Sequence, residues 1–192
     1  AASIAGRISV IAEINPKAIS KRHEQGWVDE VITGTDELVK RIRDLKKSGK
    51  VVSVGYEGNI VDVWERFADE GIKIDIGSDQ TSLHNPWSGG YYPAGLTFEE
   101  SKSMMVSDPD EFRLRVQKSL IRQVRAINRH TAGGTYFFDY GNAFLLEASR
   151  AGADILKPDG SFRYPSYVQD IMGPLCFDYG FGPFRWVCCS ND

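Results

Sequence analysis

Apolar positions along this chain recur in two periods, and the switches between them predict its elements. Residues 8–14 (ISVIAEI) form a mostly apolar run of the kind buried on both faces of a parallel sheet. A short helix is expected over 18–24, a weak strand over 30–33 and a turn at Gly34. Thr35 reads as the hydroxyl N-cap of the next helix, with Asp36 and Glu37 in its first turn and Lys46 and Lys47 in its last. Leu38, Ile42 and Leu45 mark its buried stripe, and Gly49 follows its end. The run VVSVGY, residues 51–56, is the clearest strand, being β-branched and nearly continuous. Behind Gly58 and Asn59, the residues Ile60, Val63, Trp64 and Phe67 recur at helical spacing; Gly71 ends that helix, and 72–76 is a further strand. Strand–helix–strand alternation of this kind predicts an α/β fold with parallel crossovers and a sheet covered on both sides.

Between residues 77 and 95 (GSDQTSLHNPWSGGYYPAG) neither period holds, which predicts a long loop, ordered by its three aromatic side chains. A helix is expected from about Thr97, then a long one over 109–130 with Phe112, Val116, Leu120, Val124 and Ile127 as its stripe. Six basic residues on it, among them Arg122 and Arg129, read as a solvated or interdomain face rather than a nucleic-acid surface. A strand over 135–138, a turn over 139–142 and a helix over 143–151 complete the pattern. The tract 173–186, GPLCFDYGFGPFRW, mixes glycine, proline and four aromatics in a way that predicts a loop shielded from water. Arg185 in that tract either anchors a small carboxylate bidentately or pairs internally.

Composition adds limits. With 192 residues, 42% hydrophobic and 26% charged, the chain has the make-up of one soluble globular domain spanning 1–192. A net charge of −3 gives no reason to expect a nucleic acid, and no apolar run approaches a membrane span. Three cysteines (Cys176, Cys188, Cys189) are odd in number and crowded at one end, pointing to reduced thiols in a cytoplasmic setting. The three histidines show no metal-ligand spacing, so no metal site is expected. The small-residue start and the apolar end, Trp186 to Cys189, read as cut from something longer.

In a doubly wound sheet, ligands bind at the carboxyl ends of the strands. Those ends carry Glu13, Asn59, Asp79 to Ser82, and Asp139 to Asn142. An acid at Glu13's position is where a dinucleotide fold holds the adenosine ribose, the alternative being an exposed acid with no ligand. On the first reading, the first strand and its glycine-rich phosphate loop precede Ala1; no GxGxxG occurs in the chain. A Ser82–His84–Asp79 triad lacks the GxSxG elbow, and nothing fixes the separation of Asp75 and Asp79 as an acid–base pair.

The runs VIAEI, YEGN, GSDQTSLHNPWSGGYYPAG, FFDYGNAFLLEASRAGAD, FRYPSYVQDIMG and GFGPFRWVC together resemble the central domain of urocanase (urocanate hydratase) over essentially the whole chain. The resemblance implies a three-layer, Rossmann-like domain with a mostly parallel sheet, lacking its first strand and glycine loop here. It also implies a hydro-lyase of histidine breakdown that converts urocanate to 4-imidazolone-5-propanoate with NAD+ as an electrophile, not a hydride carrier. Carried over by position, Glu13 holds the adenosine ribose, and Asn59 with Ile60 lines the cofactor. Gln80, Thr81, Ser82, Leu83, His84, Tyr91, Tyr92 and Tyr140 surround the nicotinamide half, and Arg185 binds the urocanate carboxylate. Where the family often has a basic residue after the Glu13 position, Ala18 stands here, with Lys17, Lys21 or Arg22 as substitutes. The resemblance implies that the catalytic cysteine region would follow Asp192, which would make Cys176, Cys188 and Cys189 bystanders. Implied partners are urocanate, the remaining domains of the enzyme and a second copy in a homodimer. The 192-residue chain alone is expected to be inactive; a stand-alone nucleotide- or small-ligand-binding module is the alternative reading.

Overall fold

The computed structural model describes residues 2–180. Strands β1 (Ser9–Glu13), β2 (Glu30–Ile32) and β3 (Ser53–Glu57) form a parallel sheet in the order β1-β3-β2, with Glu13 level with Glu57. Strands β4 (Ile76–Asp79) and β5 (Tyr136–Asp139) pair in parallel as a second sheet, with Asp79 level with Asp139. Between and after them run α1 (Pro16–Glu24), α2 (Thr35–Ser48), α3 (Ile60–Asp69), α4 (Phe98–Ser107), α5 (Pro109–Ala132) and α6 (Phe144–Arg150). A π-helical segment, Tyr167–Met172, leads into a last short helix, α7 (Gly173–Phe177).

Strand alternation sorts the helices onto two faces. Val54 and Tyr56 point into a core with Leu38, Ile42 and Leu45 of α2 and Val63 and Phe67 of α3. Gly55 points the other way, and a Cβ there would lie 2.9 Å from Ile19 of α1 and from Val28, so α1 covers the opposite face. Since α2 and α3 share a face, right-handed crossovers carry the chain from β2 through β3 and past β1, placing β4 on the β1 side. The facing edges of β1 and β4 are not paired with each other. Over β4 and β5 a second core gathers Trp64 of α3, Phe112, Leu120, Val124 and Ile127 of α5, Phe137 of β5 and Phe144 of α6. Each such fully buried side chain contributes about 1.5–3 kcal/mol, which is what docks α5 and α6 onto the sheet.

The basic face of α5 is turned on α3. Arg122 holds Glu65 through two hydrogen bonds of 3.0 and 2.6 Å, and Arg129 reaches Asp69 at 2.8 Å. Half-exposed pairs like these contribute little individually; they account for the Arg122 and Arg129 part of the charge run, while Arg115 pairs with Glu111 on its own helix and Arg113 lies over the Trp87 ring.

Several local expectations change. Gly34, not Thr35, holds the N-cap of α2 and makes no side-chain bond; Thr35 is the first helical residue. The strand expected over 72–76 begins only at Ile76, because Ile72 and Ile74 pack into the cores and the ladder pairs GSD with FFD. The loop expected from Gly77 starts later, since Gly77, Ser78 and Asp79 belong to β4; a Cβ at Gly77 would sit 2.3 Å from the Trp64 ring. The tract starting at Gly173 is helical through Phe177, since proline at Pro174 falls in a first turn that needs no N–H. Phe177 and Tyr179 stand in solvent, so the described part of that tract is not shielded from water.

His130 near the end of α5 is buried edge-on against Trp64, with Nε2 3.0 Å from the Trp64 carbonyl. Burial, assisted by the Arg129 charge, lowers its pKa below the ordinary 6.5 against the opposing effect of that hydrogen bond. The unfolded chain therefore binds the extra proton first, so stability is full above pH 6.5 and declines as pH falls below it. Urea midpoints measured down to about pH 5.5 are expected to show this loss, and His130→Gln to flatten it.

Candidate functional site

At the carboxyl ends of β4 and β5, one buried carboxylate organises two loops. Asp79, 2% exposed, is the last residue of β4. Its Oδ1 accepts from the Thr81 backbone N–H (3.1 Å), the Thr81 hydroxyl (2.6 Å) and Asn142 Nδ2 (2.7 Å). Its Oδ2 accepts from Gln123 Nε2 at 2.8 Å. None of the four donors carries a charge. Gln123, wholly buried in α5, also accepts from the Tyr91 hydroxyl at 2.8 Å. Burial first, then the charge on Asp79, pushes the Tyr91 phenol well above its ordinary range, so it stays a donor. Asn142 Nδ2 also donates to the Thr81 carbonyl at 2.7 Å, clamping the loop after β4 to the loop after β5.

A second tie joins the same loops: His84 Nε2 lies 3.1 Å from the Gly141 carbonyl. A carbonyl only accepts, so Nε2 is the donor in this contact. Asn59, after β3, caps α3 by accepting from the Val61 N–H (3.0 Å) and donates to the Tyr92 carbonyl (2.8 Å). Tyr92 in turn is close enough to Glu13 for that charge to add to burial in raising its pKa. Glu13 itself accepts from the Asn15 N–H at 2.9 Å through one oxygen. The ends of β1, β3, β4 and β5 are thus linked along one edge.

Of the residues singled out from sequence, Glu13, Thr81 and Tyr92 are half-buried there, and Gln80, Ser82, His84 and Tyr140 are exposed. Leu83 and Tyr91 turn their side chains into the core instead, and both ends of the Asn59 amide are engaged within the protein. These three shape the loops; they present no free side-chain group. Ile60 packs between the two cores. Arg185 lies outside the described residues. Tyr140 stacks face to face on Tyr167, with centroids 4.9 Å apart and planes within 2°. A cleft of about 760 Å³ is lined among others by His84, Asp139, Gly141, Ala143, Arg163 and Ser166; neither ring of the stack lines it. Asp75 sits on the surface beside Lys73, far in character from buried Asp79, and His84 faces Gly141 rather than Ser82, so neither the acid–base pair nor the triad forms. Among the described residues no cluster of three or more metal-ligating side chains occurs, and no helix is long and apolar enough to cross a membrane.

The family model for the urocanase Rossmann-like domain matches residues 1–171. The chain belongs to the urocanase family. It is 57% identical over 196 residues to a probable urocanate hydratase of Caenorhabditis elegans, and 54% identical over 200 residues to the urocanate hydratases of Mus musculus and Homo sapiens. Each match covers 100% of this chain and 29% of the relative, so the chain spans under a third of those proteins. Within this urocanase domain the organising residues are Asp79 and Asn142, which the sequence places only among the polar residues at the strand ends, and Gln123, which sequence reasoning missed. One signal was present: Gln123 stands seven positions after Val116 on the apolar stripe of α5, where an uncharged polar side chain needs a buried partner.

The arrangement fits two parts of a dinucleotide. Glu13 has a second carboxylate oxygen free of hydrogen bonds among the described residues, suited to ribose hydroxyls. The turn after β5 offers an exposed aromatic plane at Tyr140; the amide oxygen beside it, Asn142 Oδ1, is shielded from solvent and has no hydrogen-bond partner among the described residues. For the pyrophosphate the described residues offer no comparable cradle: Asn15 and Asn59 already cap α1 and α3.

Proposed function

We propose that this chain is the NAD+-binding domain of a urocanate hydratase, acting in the cytoplasm as part of a longer, dimeric polypeptide that adds water to urocanate. The observation that carries the reading is the Asp79 network, which fixes the loops after β4 and β5 around one sheet edge, in a chain of this family. Its neutral donors leave a net negative charge beneath that edge, complementary to a cationic ring. NAD+ bound there would supply a pyridinium as electron sink for the substrate's imidazole. Glu13 would accept the adenosine ribose hydroxyls, Gln80, Ser82 and His84 would line the nicotinamide half, and Tyr140 would form a wall for it. Arg185 would pair with the substrate carboxylate. Among the described residues no strand pairs with the outer edges of β1 and β4, which leaves room for a further parallel strand that would bring a glycine loop to the pyrophosphate.

The test is a pair of readings on the full-length protein. Urocanate's near-ultraviolet absorbance is expected to decay on mixing, and denaturation is expected to release about one NAD+ per chain. Glu13→Ala should lose NAD+ about 10-fold or more readily, the cost of removing charge-assisted hydrogen bonds. Turnover of urocanate with no nucleotide present would defeat the cofactor assignment, and no turnover would defeat the activity.

A further inference from the structure

The π-helical segment holds the turn after β5 position by position. Asp139 forms an isolated parallel bridge with Ser166, Tyr140 stacks on Tyr167 with planes within 2°, and Gly141 faces Val168, whose Cγ2 would lie 2.4 Å from a Cβ at that glycine. A π-helix is a rare conformation that recurs at functional sites. Tyr167 lies across Phe138 and Tyr140, two positions apart on one side of the strand end, with centroids 5.9 and 4.9 Å away. Among the described residues it is the only aromatic ring against Tyr140. Tyr140 is nevertheless 47% exposed, so one face of its ring is covered by the stack and the rest is open. Its backbone N–H donates to the Asp79 carbonyl at 3.3 Å, which seats the residue directly on the network beneath the edge.

We propose that Tyr167 is a positioning residue of the cofactor site: by holding the Tyr140 ring flat, it sets a platform that favours the oxidised, cationic nicotinamide ring over the reduced, neutral one. The inference rests on the cofactor reading above and adds a residue that reading does not use. A pyridinium on the open Tyr140 face is attracted by the ring quadrupole, and the second ring behind it fixes the plane in advance, so little rotamer freedom is lost on binding. Dihydronicotinamide has nearly the same outline and no charge, so it forfeits that attraction. Holding the charged form in preference suits a reaction in which the ring serves as an electron sink.

The test uses full-length protein stripped of nucleotide and titrated with NAD+ and with NADH. Wild-type protein is expected to bind NAD+ about 10-fold or more tightly than NADH. Tyr167→Leu, which keeps apolar cover on Phe138 without a flat face for Tyr140, should narrow that preference about 2- to 5-fold. Tyr167→Phe restores the stack and should keep the preference. A merely structural role would weaken both dinucleotides alike and leave the ratio unmoved. In a Tyr140→Leu background, Tyr167→Leu should no longer alter the ratio, since the two rings act as one unit. An unchanged ratio in Tyr167→Leu, an equal loss in Tyr167→Phe, or a further drop in the Tyr140→Leu background overturns the inference alone. Equal binding of the two dinucleotides by the wild type does the same. Failure of the wild type to bind NAD+ overturns the cofactor reading with it.

Discussion

Replacing Asp79 with alanine is expected to destabilise the domain by about 3–5 kcal/mol, the cost of stripping a buried carboxylate from donors left without partners. Gln123 Nε2, Asn142 Nδ2 and the Thr81 N–H and hydroxyl all lose their acceptor together. Water cannot reach a site only 2% exposed without loosening both loops. Asp79→Asn separates geometry from charge. With its oxygen kept toward Thr81 and Asn142, its new NH2 faces Gln123. Gln123 can flip to accept from it, but its NH2 then faces the Tyr91 hydroxyl, whose buried O–H loses its acceptor. The Asn variant, with one donor orphaned instead of four, is therefore expected to lose about 1–3 kcal/mol of stability, less than the alanine variant, while binding NAD+ at least 10-fold more weakly, because the negative charge is gone. Urea denaturation and nucleotide titration on the same three proteins measure both. Equal destabilisation by Ala and Asn would contradict the hydrogen-bond pattern, and unchanged NAD+ affinity in Asp79→Asn would remove the charge from the account.

Gly90→Ala is the second large effect. The chain folds back at this residue so tightly that a Cβ would fall 2.1 Å from the Ser82 carbonyl oxygen and 2.4 Å from that of Asn85. Both obstacles are backbone atoms, so no rotamer change relieves the clash, and the same turn carries the bond from the Ser82 N–H to the Gly90 carbonyl at 2.9 Å. The loop from Gln80 to His84 must open, with an expected loss of about 2–4 kcal/mol and NAD+ binding weakened to the limit of detection. Gly95→Ala is the control: its φ of +83° makes alanine strained, but nothing lies within 4 Å of a new Cβ. It should cost about 1 kcal/mol and leave binding intact. If both substitutions behave alike, backbone strain and not the close approach governs this loop.

The alternation of elements was legible in the sequence because apolar runs and helical stripes obey simple periods. Ile8 to Ile14 and the stripe of α5 are cases where one physical requirement, burial of one face, dominates. Segments where two requirements meet were not legible. Gly77 looks like punctuation, yet it is absent of side chain because Trp64 from α3 occupies its space. The strand there starts at Ile76 rather than Ile72, since pairing with β5 sets the ladder while the preceding isoleucines serve the cores. The sheet edge as a ligand site was readable from where polar residues follow strands. Which of those residues face outward was not: in the run SDQTSLH, Asp79 and Leu83 turn inward while Gln80, Ser82 and His84 turn out, an alternation imposed by contacts with α5 and β5 that lie dozens of residues away. The same holds for Tyr91 and Tyr92, adjacent tyrosines of which only the second stays at the edge. A breakdown of the sheet into β1-β3-β2 and β4-β5 also lies beyond any local pattern, because it depends on what does or does not stand between β1 and β4.

The central claim is that one edge, built by the loops after β4 and β5, receives NAD+. Amide hydrogen exchange on the full-length protein, stripped of nucleotide and then saturated with NAD+, tests it most directly. Protection is expected over residues 79–92 and 139–143, where the Asp79 network joins the loops, with α2 and the outer turns of α4 unchanged. Protection confined to other parts of the protein, with these two loops exchanging as before, would contradict the account.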